Sequence, residues 1–231
     1  MCEDHEHEPV KKVEIDKSIS NVNDAIAAQI SDFLEEKRIL CVNIMGSPGS
    51  GKTSVIENIA PMLKAGDIYV IQGDLESDID KKRMEQIGID AYQINTHSGC
   101  HLNAEMVNRA LMDISLKDKK YLLIENVGNL VCPSGIRIGQ HINVVVSSTA
   151  EGSDKPKKYP NIFYDASLVV ISKLDIAKAV GFNEKEYMKD ILNINSKVKI
   201  LKTSSKQKES FSAVAHFIAH ERDHLTGEHR H

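Results

Sequence analysis

Apolar residues recur along this chain with two different periods. Short, mostly apolar runs stand at 39–45, 68–71, 91–96, 121–128, 142–146, 168–172 and 198–201. Their length and their Gly and polar flanks are those of strands, and 39–45, 68–71, 142–146 and 168–172 read as buried ones. Between them the apolar spacing changes to three and four. Ile26, Ile30, Phe33 and Leu34 share one face of a helix predicted over about 23–37, with Asn23 or Asn21 as its cap. Val55, Ile56, Ile59 and Met62 mark a second helix, Ala104, Val107, Leu111 and Ile114 a third. Tyr187, Ile191 and Leu192 mark another, and Phe211, Val214, Phe217 and Ile218 a last one. A segment running to Ile87 also reads as helical, with Asp78 as its cap or first-turn acid. Strands alternating with helices in this way predict a three-layer α/β fold, a mostly parallel central sheet covered by helices on both faces. The stretch 149–161, rich in Gly, Pro and charge, reads as a surface loop. The expected organisation is a flexible polar N-terminal tail (1–20), one nucleotide-binding domain (21–224) and a His-containing C-terminal tail (225–231).

Within that pattern one turn carries chemistry. Gly46-Ser47-Pro48-Gly49-Ser50-Gly51-Lys52-Thr53 follows a predicted strand and opens a predicted helix, and it matches the phosphate-loop pattern in full. Its glycines let successive backbone N–H groups point at phosphate oxygens, and the helix N-terminus adds a positive dipole end. Lys52 can neutralise β/γ-phosphate charge, and the Thr53 hydroxyl can take a Mg²⁺ position, with Ser54 next in line. P-loop NTPase is therefore the expected fold class.

Composition narrows the setting. A chain of 231 residues suits one α/β domain with terminal additions, and a net charge of −4 gives no general attraction to nucleic acid or anionic membrane. No apolar run approaches the roughly 20 residues needed to cross a bilayer. The N-terminus is acidic and polar rather than a secretory signal, and four cysteines without close pairing fit a reducing cytoplasm.

Later strand ends refine the nucleotide reading. Asp74 follows the second strand, where open α/β sheets bind ligands, and is expected to position Mg²⁺ or water. Glu125-Asn126-Val127-Gly128 has an acid that can reach Mg²⁺ and a glycine whose N–H can approach a γ-phosphate. In Lys173-Leu174-Asp175 the carboxylate can accept the paired N–H donors of guanine, which adenine lacks, while the Lys173 stem covers the base plane. Ser204, in the run 203–206, is placed to complete the base pocket. Catalytic roles are expected for Lys52, Asp74 and Glu125, and nucleotide contacts for Gly46, Ser47, Gly49, Ser50, Gly51, Lys52, Thr53, Ser54, Gly128, Lys173, Asp175 and Ser204. The Mg²⁺ ligands would be Thr53, Asp74 and Glu125.

A second group of residues suits a softer metal. Cys100 and His101 are adjacent, and Cys132 lies just beyond the acid-x-x-Gly segment. Thiolate and imidazole suit Zn²⁺ and Ni²⁺, and three ligands leave a tetrahedral ion one short, to be completed by water, His97 or a second subunit. The other reading makes Cys100 and Cys132 small buried apolar residues and His101 a helix cap. His216, His220 and His224 fall at i, i+4, i+8, followed by His229 and His231. A pair at i, i+4 can hold a metal on one helix face, and the favoured reading is a solvated polar helix end. Cys2, His5 and His7 read as part of the polar tail.

The order 46–53, Asp74, 125–128, 173–175 resembles a P-loop GTPase. The wording Gln72-Gly73-Asp74-Leu75-x-Ser77-Asp78, the pair Cys100-His101 and the string Glu125-Asn126-Val127-Gly128-Asn129-Leu130-Val131-Cys132-Pro133 resemble, more specifically, the HypB family. These are GTPases that help deliver nickel to nickel–iron hydrogenase. The resemblance covers the chain from about residue 20 to the C-terminus. It implies a fold of the nitrogenase-iron-protein-like class, GTP/GDP with Mg²⁺, and Ni²⁺ or Zn²⁺ on Cys100, His101 and Cys132. It also implies GTP-dependent homodimerisation with a metal site shared across the dimer, a HypA-type nickel chaperone and the hydrogenase large-subunit precursor. The chain departs from the family in three places. Ser172 stands where the guanine motif usually has Asn, Asn129 stands after Gly128 where a water-positioning Gln would be sought, and only Cys2 occurs where some members carry a Cys-rich nickel motif. Other functions stay open: a metallochaperone for another nickel enzyme such as urease, a small-molecule kinase, or a metal-storage protein on a nucleotide fold.

Overall fold

The computed structural model describes residues 10–74, 83–96 and 99–228, with residues 10–19 and Asp74 as backbone alone. The expectations placed on Cys2, His5, His7, Asp78, His97, His229 and His231 lie outside the described residues. Strands β1 (Leu40–Met45), β2 (Ile68–Asp74), β3 (Asp90–Asn95), β4 (Tyr121–Glu125), β5 (Ile142–Ser148), β6 (Leu168–Ser172) and β7 (Lys199–Lys202) form one sheet in the order β3-β2-β4-β1-β5-β6-β7. Every neighbouring pair is parallel. The helices with both ends among the described residues are α1 (Val10–Glu36), α2 (Lys52–Leu63), α3 (Ala104–Asp113), α4 (Lys155–Lys158), α5 (Pro160–Tyr164), α6 (Glu184–Ile194) and α7 (Ser212–Thr226), and 83–86 are helical as well.

The two-residue period of β1 sorts its side chains into two cores. Leu40, Val42 and Ile44 meet Ile56 and Ile59 of α2 and Val214 and Ile218 of α7 on one face. Cys41 meets Leu122 and Ile124 of β4, Leu34 of α1 and Val107 of α3 on the other. Farther along that second face, Val145, Val169 and Ile171 pack on Phe163 of α5 and on Tyr187 and Ile191 of α6. Burial pushes the Cys41 thiol far above its ordinary pKa. The structure is thus a three-layer P-loop α/β fold, with all strands ending on one edge, where the loops gather.

Strand ends shift by a few residues, with 121–128 ending at Glu125 and 68–71 extending to Asp74, and the larger differences from the sequence reading have local reasons. The first helix begins at Val10, not at about Asn23. The apolar spacing Ile15, Ile19, Val22, Ile26, Ile30 continues upstream of Asn23 without a break. Asn23 is therefore not a cap of its own helix. Its side chain donates to Arg137 O (2.9 Å) and accepts from Ala104 N, the first residue of α3 (3.0 Å). The stretch 149–161, expected as loop, contains α4 and the start of α5, each with Pro in its first turn. Proline lacks only an N–H that a helix start leaves unpaired, so here it marks helix starts.

Candidate functional site

The phosphate loop leaves β1 at Gly46 and enters α2 at Lys52. Gly46 has φ +153°, and a Cβ there would lie 2.2 Å from Val146 O, so only glycine lets the loop pass β5 this closely. Gly51, also left-handed, caps α2 without a side-chain bond, leaving the first N–H groups of that helix directed at the loop. Lys52 is buried and its ammonium donates to Gly46 O (3.3 Å) and Ser47 O (3.2 Å). Thr53 Oγ1 donates to Glu125 Oε1 (2.7 Å), and Gln72 Nε2 donates to Glu125 Oε2 (3.0 Å). Two hard oxygen donors, one hydroxyl and one carboxylate, therefore meet at one point beside the loop, a donor set that suits Mg²⁺. Asp74 is the last residue of β2, in register with Asn95 of β3, on the same sheet edge.

At the other end of the loop lie 172–175 and 203–211. Ser172 Oγ donates to Ser50 O at 2.5 Å. The short hydroxyl thus braces the base motif against the phosphate loop. Lys173 takes a left-handed conformation (φ 56°), and its ammonium donates to Gly49 O (2.7 Å). Its carbonyl accepts from Thr149 Oγ1 (2.7 Å), which holds this uncommon turn in place. Asp175 Oδ1 accepts from Ser204 Oγ (2.8 Å), with Lys206 Nζ 3.6 Å from Oδ2. The Ser204 bond, helped by Lys206, holds the Asp175 carboxyl below its ordinary range, so it is ionised at neutral pH. A cleft lined by Gly51, Ser54, Ser172, Lys173 and Thr203 runs between these segments. The hydroxyls of Ser50 and Thr203 are buried without a partner among the described residues. The left-handed Gly51 that opens α2 without a side-chain cap, and the ionised Asp175, are groups that fit a nucleotide.

The thiol cluster lies beyond the far side of β4. Cys100 Sγ, a His101 ring nitrogen and Cys132 Sγ all lie within 4.8 Å of one another, a spread that one divalent ion can draw together. Cys100 Sγ is 3.5 Å from His101 Nδ1. The Cys100 thiol is pushed above its ordinary value, first by its hydrogen bond to Cys132 and then by desolvation. Burial pulls His101 down, which favours the neutral imidazole that binds metal. The alternative reading of these residues is not met. Cys100 is exposed and Cys132 half-buried, and α3 is capped by Asn103, whose Oδ1 accepts from Met106 N at 2.9 Å.

What joins the two regions is a set of asparagines. Asn43, buried in β1, donates to Asn143 Oδ1 (3.0 Å) and accepts from Asn126 Nδ2 (3.1 Å). Asn126 Oδ1 in turn accepts from Leu102 N (3.1 Å), the residue after His101. Asn129 N donates to Gly46 O (3.0 Å), forming an isolated antiparallel bridge to the phosphate loop. The Asn129 side chain accepts from Val131 N (2.8 Å) and Cys132 N (3.3 Å). Gly128 lies against the same loop, where a Cβ would come within 2.9 Å of Pro48. One residue thus touches the phosphate loop with its backbone and the Cys132 backbone with its side chain.

The model of the CobW/HypB/UreG nucleotide-binding domain matches residues 40–202. The chain is 37% identical over 216 residues to the hydrogenase/urease maturation factor HypB of Helicobacter hepaticus, covering 92% of this chain and 89% of that one. It is 39% identical over 207 residues to a probable hydrogenase maturation factor HypB of Methanocaldococcus jannaschii, covering 89% and 94%. The chain belongs to the HypB family. Its fold matches the crystal structure of Helicobacter pylori HypB in complex with nickel at a TM-score of 0.83 and 34% identity, over 90% of this chain and 99% of that one.

The sequence alone gives Gln72 and Asn126 no role beyond their motifs, and Asn129 only a place where a water-positioning Gln would be sought. Their side chains turn out to hold Glu125, the His101 loop and the Cys132 loop. The signal for Asn126 was present: Asn43 sits alone among apolar residues in a strand with both faces buried, and a buried amide must find polar partners. The three histidines of α7 are exposed and lie apart from the thiol cluster.

Proposed function

We propose that this protein is a GTP-hydrolysing metallochaperone that binds nickel and assists its insertion into nickel–iron hydrogenase. The observation that supports this most strongly is the attachment of the Cys132 segment to the phosphate loop through Gly128 and Asn129. A segment held this way responds to what the loop binds.

In this reading Lys52 and the first N–H groups of α2 bind the β- and γ-phosphates. Thr53, Glu125 and Asp74 would hold Mg²⁺, which neutralises charge developing on the phosphates. Glu125, kept oriented by Gln72, would give up its bond from Thr53 to help hold that ion. Asp175 accepts the N1–H and N2–H of guanine, and Ser204 fixes its rotamer. The Asn129 side-chain oxygen already accepts from Val131 and Cys132, which fits slow intrinsic hydrolysis. Nickel is cargo, held by Cys100, His101 and Cys132 with further ligands from water or a second subunit. Its binding displaces thiol protons.

The same reading carries a homodimer formed in the GTP state, a HypA-type chaperone as donor or acceptor of nickel, and the hydrogenase large-subunit precursor as the receiving protein. The Helicobacter hepaticus relative is named for urease as well as hydrogenase, so nickel transfer to each precursor is to be compared directly. The central test is a Ni²⁺ titration of the chain with GDP and with a non-hydrolysable GTP analogue, with subunit mass recorded in both states. Metal affinity is expected to differ between the two states, and nucleotide affinity to differ with metal by the same factor. Equal nickel affinities in the two states would overturn nucleotide control of the site.

A further inference from the structure

Helix α7 carries three exposed histidines in one stripe, His216, His220 and His224. The rings of His220 and His224 stand 4.3 Å apart, nearly perpendicular, with Nε2 facing Nε2 at 3.2 Å. Nitrogens bound to one ion at about 2.0–2.1 Å lie about 3.3–3.4 Å apart at a tetrahedral angle and about 2.9 Å apart at a right angle. The observed separation falls between these values. On the far side of the His220 ring, Nδ1 lies 3.8 Å from Glu221 Oε1. A carboxylate on that side favours the tautomer with the proton on Nδ1, which leaves Nε2 as the ligand atom.

We propose that His220 and His224 form a second divalent-metal site, taking Ni²⁺, Zn²⁺ or Cu²⁺, separate from Cys100, His101 and Cys132. The helix beneath the two rings is fixed. Val214, Ala215, Ile218 and Arg222 of α7 are buried, and Arg38, just before β1, donates to Thr226 O (3.1 Å) and pairs with Glu228 (2.9 Å). That anchor ties the end of α7 to the start of β1. The thiol cluster lies past the ends of β3 and β4, on the opposite edge of a parallel sheet. Two protein ligands leave at least two positions of a tetrahedral ion to water or to another protein's donors. The site is thus suited to an ion that exchanges rather than one that is kept.

Two neutral imidazoles sharing one proton would stand at the same distance, and a titration separates the two explanations. Ni²⁺ is titrated into the full-length Cys100→Ala/Cys132→Ala chain, and into that chain with His220→Ala, with His224→Ala, or with His229→Ala/His231→Ala. Loss of ¹⁵N-imidazole NMR signals to the paramagnetic ion is recorded alongside. The expected result is one bound Ni²⁺ that broadens His220 and His224. Its affinity should fall by about tenfold or more when either is removed, at least the loss an outer-shell change causes. The terminal pair should leave it unchanged. Three results would overturn the proposal: no Ni²⁺ bound in the cysteine-depleted chain, binding insensitive to His220→Ala and His224→Ala, or binding lost only with His229 and His231. The His220→Ala/His224→Ala chain with its cysteines intact should retain GTP hydrolysis and nucleotide-dependent metal binding. Failure here and failure of the GTPase reading are therefore separately visible.

Discussion

The two ends of the loop-bearing sheet edge are built on different terms. At the phosphate-loop end the polar groups are already bonded to one another and most are buried: Lys52 to loop carbonyls, Glu125 to Thr53 and Gln72, Ser172 to Ser50, and the exposed Asp175 to Ser204. A nucleotide arriving there exchanges internal bonds for its own. At the Cys100 end the ligand atoms are gathered close together with one thiol in solvent, while the order resides in the backbone, through Asn103, Asn126 and Asn129. A metal arriving there mainly displaces protons. Preorganisation is thus in side chains at one end and in asparagine-fixed loops at the other, and substitutions at the two ends should have different signatures.

The largest effect is expected from Lys52→Ala. Removing the buried ammonium should lower GTP turnover by about a hundredfold or more and leave nickel binding in the nucleotide-free protein intact. Unaltered turnover would remove Lys52 from the site. Cys100→Ala should have the mirror-image outcome. Metal affinity should drop in both nucleotide states by more than the roughly 10–100-fold of an outer-shell change, with GTP affinity unaffected in the absence of metal. Asp175→Asn should then move base preference from guanine towards xanthine, whose carbonyl can accept from the new amide, by about a hundredfold. Competition between GTP and XTP measures this directly, and an unshifted ratio would take base reading away from Asp175.

The fourth variant tests the link between the ends. Asn129→Ala removes the acceptor for Cys132 N–H while its own N–H can still reach Gly46. Nickel affinity is expected to fall by about tenfold, and the difference between GDP and GTP states should shrink towards unity. A full-sized difference in this variant would mean that another route couples the sites. The smallest effect belongs to Ser172→Asn, which restores the residue usual in the guanine motif. Because Ser172 already donates to Ser50 O, the change should alter GTP affinity by less than about tenfold, the worth of one hydrogen bond.

Much of this was visible in the amino-acid order. Strand positions followed from apolar runs because a parallel sheet buries both faces, and the phosphate loop followed from Gly spacing that few other structures need. The juxtaposition of Cys100 with Cys132 did not follow from spacing alone. It depends on the strand order β3-β2-β4, which sets the loops after β3 and β4 on either side of β2. The role of Asn129 was equally hidden, since a side chain accepting from the backbone two and three residues ahead is a local turn that many residues could have made. Asn23 misled for the opposite reason: it has the composition of a cap and does cap, but a helix far away in sequence.

The burial of Cys41 in the core beneath α1 has a practical consequence for reactivity. Only the thiolate attacks an alkylating reagent, and this thiol is held protonated and out of contact with solvent. It is therefore a silent residue in a labelling experiment. In a Cys2→Ser chain, the thiols that iodoacetamide can count are Cys100 and Cys132. The rate of their modification then becomes a clock for occupancy, slow while a metal covers both sulfurs and fast once it leaves. Read during a single GTP turnover, that clock would time the release of the ion without any spectroscopic label on the metal.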